Sequence, residues 1–123
     1  MNEVILIVDD SHVVRALYAY TLQDIGYQTL EADNGISALE ILQKSSVSLA
    51  IVDINMRHMD GITLVSQIRA NPQTRNMPVI IISSNGDANH VERGKSAGAN
   101  LFLVKPPEPE VLINSVQSLI QGK

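Results

Sequence analysis

The sequence predicts an α/β fold: a parallel sheet covered by helices on both faces. Three observations carry this. Short apolar runs rich in Val, Ile and Leu recur along the chain, stretches with helical apolar spacing separate them, and the two kinds alternate five times. Parallel neighbours need a crossover, which a helix supplies, and such crossovers are right-handed.

Taken in order, the first strand is Val4 to Val8, five apolar residues that end in two aspartates. Val14, Leu17, Tyr18, Leu22 and Ile25 then recur at helical spacing, with Ser11 as N-cap and Gly26 as a left-handed stop. Gln28 to Ala32 is the weakest strand, and Ile36, Leu39 and Leu42 mark the second helix. Leu49 to Val52 forms the third strand, and Asp60 caps the helix that follows. Val79 to Ile82 and Leu101 to Val104 are the fourth and fifth strands. The helix between them, ending near Gly98, has the weakest apolar stripe. Leu112, Val116, Leu119 and Ile120 define the last helix.

At 123 residues and 45% hydrophobic content the chain is expected to form one domain, residues 1–123, with no separate output domain. A formal charge of -4 without a basic run speaks against nucleic acid as a partner. With no cysteine, disulfides, thiolate metal sites and cysteine nucleophiles are excluded. The five-residue opening run is too short for a membrane span or a signal-peptide core, so a cytoplasmic location is expected.

In open parallel sheets ligands bind beyond the carboxyl ends of the strands. There the sequence puts Asp9 and Asp10 after the first strand, Asp53 after the third, Ser83 after the fourth and Lys105 after the fifth. Carboxylates about 4 Å apart repel by about 4 kcal/mol per pair at an effective dielectric near 20. An ionised cluster therefore calls for a cation, and oxygen ligands alone favour Mg2+. A lysine and a hydroxyl opposite such an ion suit a phosphoryl group carried on a carboxylate. Singly, each residue has a plainer reading: Asp10-Ser11 as a helix start, Asp53 as loop polarity, Lys105 as a solvated lysine, Ser83 as a turn. Their joint placement favours the site.

Val8-Asp9-Asp10-Ser11, Val52-Asp53-Ile54-Asn55-Met56 with Met59-Asp60-Gly61, Pro78 to Ser84, Ala97-Gly98-Ala99 and Val104-Lys105-Pro106 together resemble the receiver domains of response regulators. The match spans essentially the whole chain. It implies the flavodoxin-like strand order 2-1-3-4-5. It also implies that Asp53 accepts a phosphoryl group from a sensor histidine kinase or a histidine phosphotransfer protein. Mg2+ would be held by Asp9, Asp10, Asp53 and the carbonyl of Asn55. Ser83 and Lys105 would bind the phosphoryl group, and Phe102 stands in the place of the switching aromatic, although an ordinary core role for it is equally open. Asn55 and Asn85 occupy positions that modulate the lifetime of the acyl phosphate.

The resemblance further implies readout on the last two helices and the strand between them, toward a downstream protein that the sequence does not identify. It leads us to expect a monomer or a weak, phosphorylation-dependent dimer and a cis bond between Lys105 and Pro106; the short opening apolar run already speaks against a membrane partner. The chain departs from the family at Arg57, where proline is usual and where an altered phosphorylation or dephosphorylation rate is expected, and at Pro107. Three rival readings stand. An aspartate-nucleophile phosphohydrolase would want a second aspartate where Asn55 stands. A flavin-binding module would want a hydroxyl-rich phosphate loop where Asp9 and Asp10 stand. A structural pseudo-receiver would act by binding alone.

Overall fold

The structure, a computed structural model, describes residues 3–56 and 58–122. Ten elements alternate: β1 (Val4–Val8), α1 (His12–Asp24), β2 (Gln28–Ala32), α2 (Gly35–Lys44), β3 (Leu49–Val52), α3 (Gly61–Ala70), β4 (Val79–Ser83), α4 (Ala88–Ala97), β5 (Leu101–Val104) and α5 (Pro109–Gln121). The five strands form one parallel sheet in the order β2-β1-β3-β4-β5. This is the expected flavodoxin-like architecture.

β1, β3 and β4 are apolar without alternation because both of their faces are buried. Even side chains of β1 and odd side chains of β4, Leu6, Val8, Val79 and Ile81, pack with Leu64, Val65 and Ile68 of α3. Their opposite partners Ile5, Ile7, Ile80 and Ile82 pack with Tyr18 and Leu22 of α1 and Leu112 and Val116 of α5. The result is three layers with a core on each face of the sheet.

Helix punctuation follows the sequence. Ser11 Oγ accepts from the Val14 N–H at 3.3 Å, and Asp60 Oδ1 accepts from the Thr63 N–H at 2.8 Å. Gly26 and Gly98 both have positive φ. Three details depart from the expectation. Ser83 is the last residue of β4 rather than the residue after it, because Lys105 N–H donates to its carbonyl and extends the ladder. Leu17 and Ile36 are more than half exposed, so the apolar stripes of α1 and α2 are wider than the surface they bury. α2 turns Gly35 and Ala38 inward instead.

Candidate functional site

Ladder hydrogen bonds fix where the strand ends stop. Asp9 N–H donates to Ala32 O at 3.1 Å, Asp53 N–H to Val8 O at 2.9 Å and Lys105 N–H to Ser83 O at 2.8 Å. With Val8 beside Val52 and Ser83 beside Val104, Asp9, Asp53, Ser83 and Lys105 emerge along one sheet edge. Asp9, Asp53 and Ser83 are buried, and Asp10 is exposed. Lys105 Nζ lies 2.7 Å from Asp9 Oδ2 and 3.5 Å from Asp53 Oδ1. The other Asp9 oxygen accepts from the Ser11 N–H at 2.9 Å.

Carboxylate oxygens of Asp9, Asp10 and Asp53 all lie within 4.8 Å of one another. That spacing and an all-oxygen donor set fit a hard divalent cation. Without one, burial and the neighbouring Asp9 charge push the Asp53 carboxyl up to about 6, although Lys105 and the Asn55 backbone N–H work in the other direction. Burial opposes the charge on Lys105, yet its hydrogen bond to Asp9 and the charges of Asp53 and Asp9 prevail and raise its pKa.

The structure places the remaining predicted residues as follows. Asn55 is exposed in the bend after β3, its N–H directed to the Asp53 carboxylate. Asn85 is exposed after β4; its N–H donates to Ser83 Oγ at 3.2 Å, and its side-chain oxygen accepts from the Asp87 N–H at 3.1 Å. Phe102 is half-buried against the core under α4, beside Ile81. The Lys105-Pro106 bond is cis. Arg57 lies outside the described residues.

Sequence reasoning missed three supports. Arg15 on α1 donates from Nη1 to the Asp9 carbonyl at 2.7 Å and pairs with Glu31 at 3.0 Å, which ties the Asp9 backbone to β2. Tyr18, legible only as part of an apolar stripe, is buried near the acid pair, and burial together with Asp9 and Asp53 pushes its phenol up to about 12. Gly61 is required by contact: a Cβ there would run into the backbone of Asp53 and Ile54. The Asp-Gly pair at 60–61, which also looks like a simple helix start, was the one signal for it.

A polar cavity of about 250 Å³, lined by Asp10, Asp33, Asn34 and His58, opens beside the acid cluster. A larger one of about 320 Å³, between Leu42, Val47, Thr74 and Met77, lies at the opposite end of the sheet and touches none of the clustered residues. Among the described residues no helix is long and apolar enough to cross a membrane.

Comparison with known proteins gives one answer. A chemotaxis protein CheY homolog of Campylobacter jejuni is 35% identical over 118 residues, covering 94% of this chain and 91% of that protein. The structure of chemotaxis protein CheY4 of Vibrio cholerae superposes with a TM-score of 0.92 at 34% identity, covering 97% of this chain and 99% of that one. A signal receiver domain of a histidine kinase from Syntrophus aciditrophicus gives 0.91 at 34% identity, covering 98% and 91%. The family model for the response regulator receiver domain matches residues 5–117, and with that span, this sheet order and these neighbours the chain belongs to the response regulator receiver domain family, CheY-like signalling domains of two-component systems.

Proposed function

We propose that this chain is a phosphoacceptor receiver whose acceptor is Asp53, charged by a sensor histidine kinase or a histidine phosphotransfer protein. The observation that carries the reading is the placement of Asp53: buried, 3.5 Å from the Lys105 ammonium and in one oxygen cluster with Asp9 and Asp10. Asp9, Asp10 and Asp53, with the Asn55 carbonyl, would hold Mg2+, which supplies positive charge to offset that of a phosphoryl group. An Asp53 carboxylate oxygen forms the new P–O bond as the donor's P–N bond breaks, and the donor imidazole leaves with the electron pair. Lys105 orients and neutralises the phosphoryl oxygens, and the Ser83 hydroxyl donates to one of them.

Ser83 Oγ at present accepts from the Asn85 N–H, so a switch of its partner would move the loop after β4. That loop leads into α4, which supports readout through α4, β5 and α5 by an effector protein. Phe102, packed under α4, would follow that movement; Asn55, Asn85 and Arg57 would tune the lifetime of the phosphate. Action in the cytoplasm, as a monomer or a dimer formed on phosphorylation, belongs to the same reading.

The test is intact mass after incubation with a small phosphodonor and Mg2+. One phosphate should add to the native chain and none to Asp53→Asn. No adduct with the native chain, together with no binding of beryllofluoride, would favour the phosphate-independent pseudo-receiver and overturn the proposal.

A further inference from the structure

Helix α4 is held unevenly. Of its ten residues only Gly94 is buried, and a ten-residue helix has little stability of its own in water, so its attachments decide its order. At its C-terminal end these are dense. Arg69, next to last in α3, donates from Nε to the Gly98 carbonyl at 2.9 Å, from Nη1 to Met77 O at 2.6 Å and Arg75 O at 3.2 Å, and from Nη2 to Asn100 Oδ1 at 2.9 Å. Asn100 Oδ1 also accepts from the Val79 N–H at 2.8 Å. One guanidinium thus joins the end of α3, the start of β4, the cap of α4 and the start of β5. All of these acceptors are neutral, so the fork serves geometry rather than charge pairing.

Gly98 has φ of +119°, and a Cβ there would lie 2.7 Å from Arg69 Cγ, so the cap and the clasp are fitted to each other. Ala97 and Ala99 pack on the core at this end. At Gly94 the helix backbone rests on Ile81 and Phe102, where a Cβ would come within 3.0 Å and 3.1 Å of them.

Beyond Gly94 the attachments thin out. Residues 84–89 are all exposed, and the loop meets the body where Gly86 abuts Val104, itself half exposed. His90 Nδ1 is buried and has no hydrogen-bond partner among the described residues; its 3.4 Å approach to Asp87 lacks the geometry of one. An unsatisfied buried nitrogen favours opening at this end, just as the Arg69 bond to the Gly98 carbonyl, itself anchored through Met77 and Asn100, opposes it at the other.

We propose that Arg69 is the pivot of a hinged α4, whose N-terminal half, residues 88–93, opens while Gly94 to Gly98 stay fixed to the body. Any displacement of the loop after Ser83 then becomes a swing of the helix about Gly98 rather than its detachment. That use of the hinge rests on the phosphoacceptor reading, whereas the hinge does not, so it is tested on metal-free, unphosphorylated protein.

The experiment is residue-resolved amide hydrogen exchange, with β1 amides reporting global unfolding. In the native chain the protection of Val91 to Arg93 should be about tenfold lower than that of Lys95 to Ala99, after correction for intrinsic rates. Arg69→Gln should raise exchange at 95–99 about tenfold and leave β1 and α1 unchanged. Equal protection along α4 in the native chain, or unchanged exchange at 95–99 in Arg69→Gln, overturns the proposal. Should Arg69→Gln not fold, Arg69→Lys decides: an ammonium cannot span these acceptors, so the same amides should still speed up, about threefold, and no change counts against the pivot.

Discussion

At the corner where β1 runs into α1, the groups beside Asp53 are cross-tied: Asp9 to Ser11 and Lys105, the Asp9 carbonyl to Arg15, Arg15 to Glu31. Behind them Tyr18, Ala19 and Leu22 are buried against the sheet. At the corner where β4 runs into α4, Ser83 is buried, but the next six residues are exposed, and the helix buries one glycine. On the proposed phosphoacceptor reading, a charge arriving at Asp53 would meet a stiff wall on one side and a compliant one on the other. Structural response follows the weaker attachments, so on that reading the acid corner would fix geometry and the α4 corner would supply motion.

The comparison is most strongly challenged by removing one apolar side chain on each side. Leu22→Ala, at a fully buried site, should cost about 2–5 kcal/mol of unfolding free energy. Val91→Ala in the partly exposed first half of α4 should cost less than about 1 kcal/mol. Urea titrations followed by circular dichroism measure both, and equal losses would show that α4 is as firmly seated as α1.

The second test uses the charge already stored in the stiff corner. The folded-state Asp53 pKa of about 6 lies above its ordinary 3.8, so the native fold binds that proton more tightly than the unfolded chain does. In metal-free protein the Asp53 contribution to stability therefore falls as pH rises from about 4 to about 6 and stays low above that. The deficit is at most about 3 kcal/mol. Asp53→Asn should melt higher than the native chain at pH 8, and the gap should close as pH falls to 4. A gap independent of pH would mean that packing, not charge, separates the two.

What could be read from the sequence divides along the same line. Strands buried on both faces announce themselves as unbroken apolar runs, and the groups that follow them, Asp9, Asp53 and Lys105, are found by counting to the run's end. The acid corner was legible for that reason. Periodicity names a helix face but not its neighbour, so Leu17 and Ile36 are counted toward faces that leave them more than half exposed. Arg69 and Arg15 were invisible because they bond backbone carbonyls that the fold brings to them, Gly98, Met77 and Arg75 for one and Asp9 for the other, and a carbonyl has no sequence signature. Tyr18 looked apolar because its ring does obey the helical stripe; only the fold brings its hydroxyl end toward Asp9 and Asp53.

The smallest effects come from the two helix caps. Ser11 Oγ holds the Val14 N–H at 3.3 Å at the stiff corner, so Ser11→Ala should cost about 0.5–1 kcal/mol and spread that loss over the whole fold. At the compliant corner Asp87 accepts from the His90 N–H at 2.8 Å, and that bond, with His90's other contributions, holds its carboxyl below its ordinary pKa. A depressed carboxylate contributes above its unfolded pKa and loses that contribution as pH falls through the folded value. Acidification, like Asp87→Ala, should therefore loosen the His90 and Val91 amides while the global melting point barely follows. Amide exchange and melting read on the same samples separate the cases. A melting point that dropped in step with those amides would place α4 in the same cooperative unit as α1 and remove the distinction between the two corners.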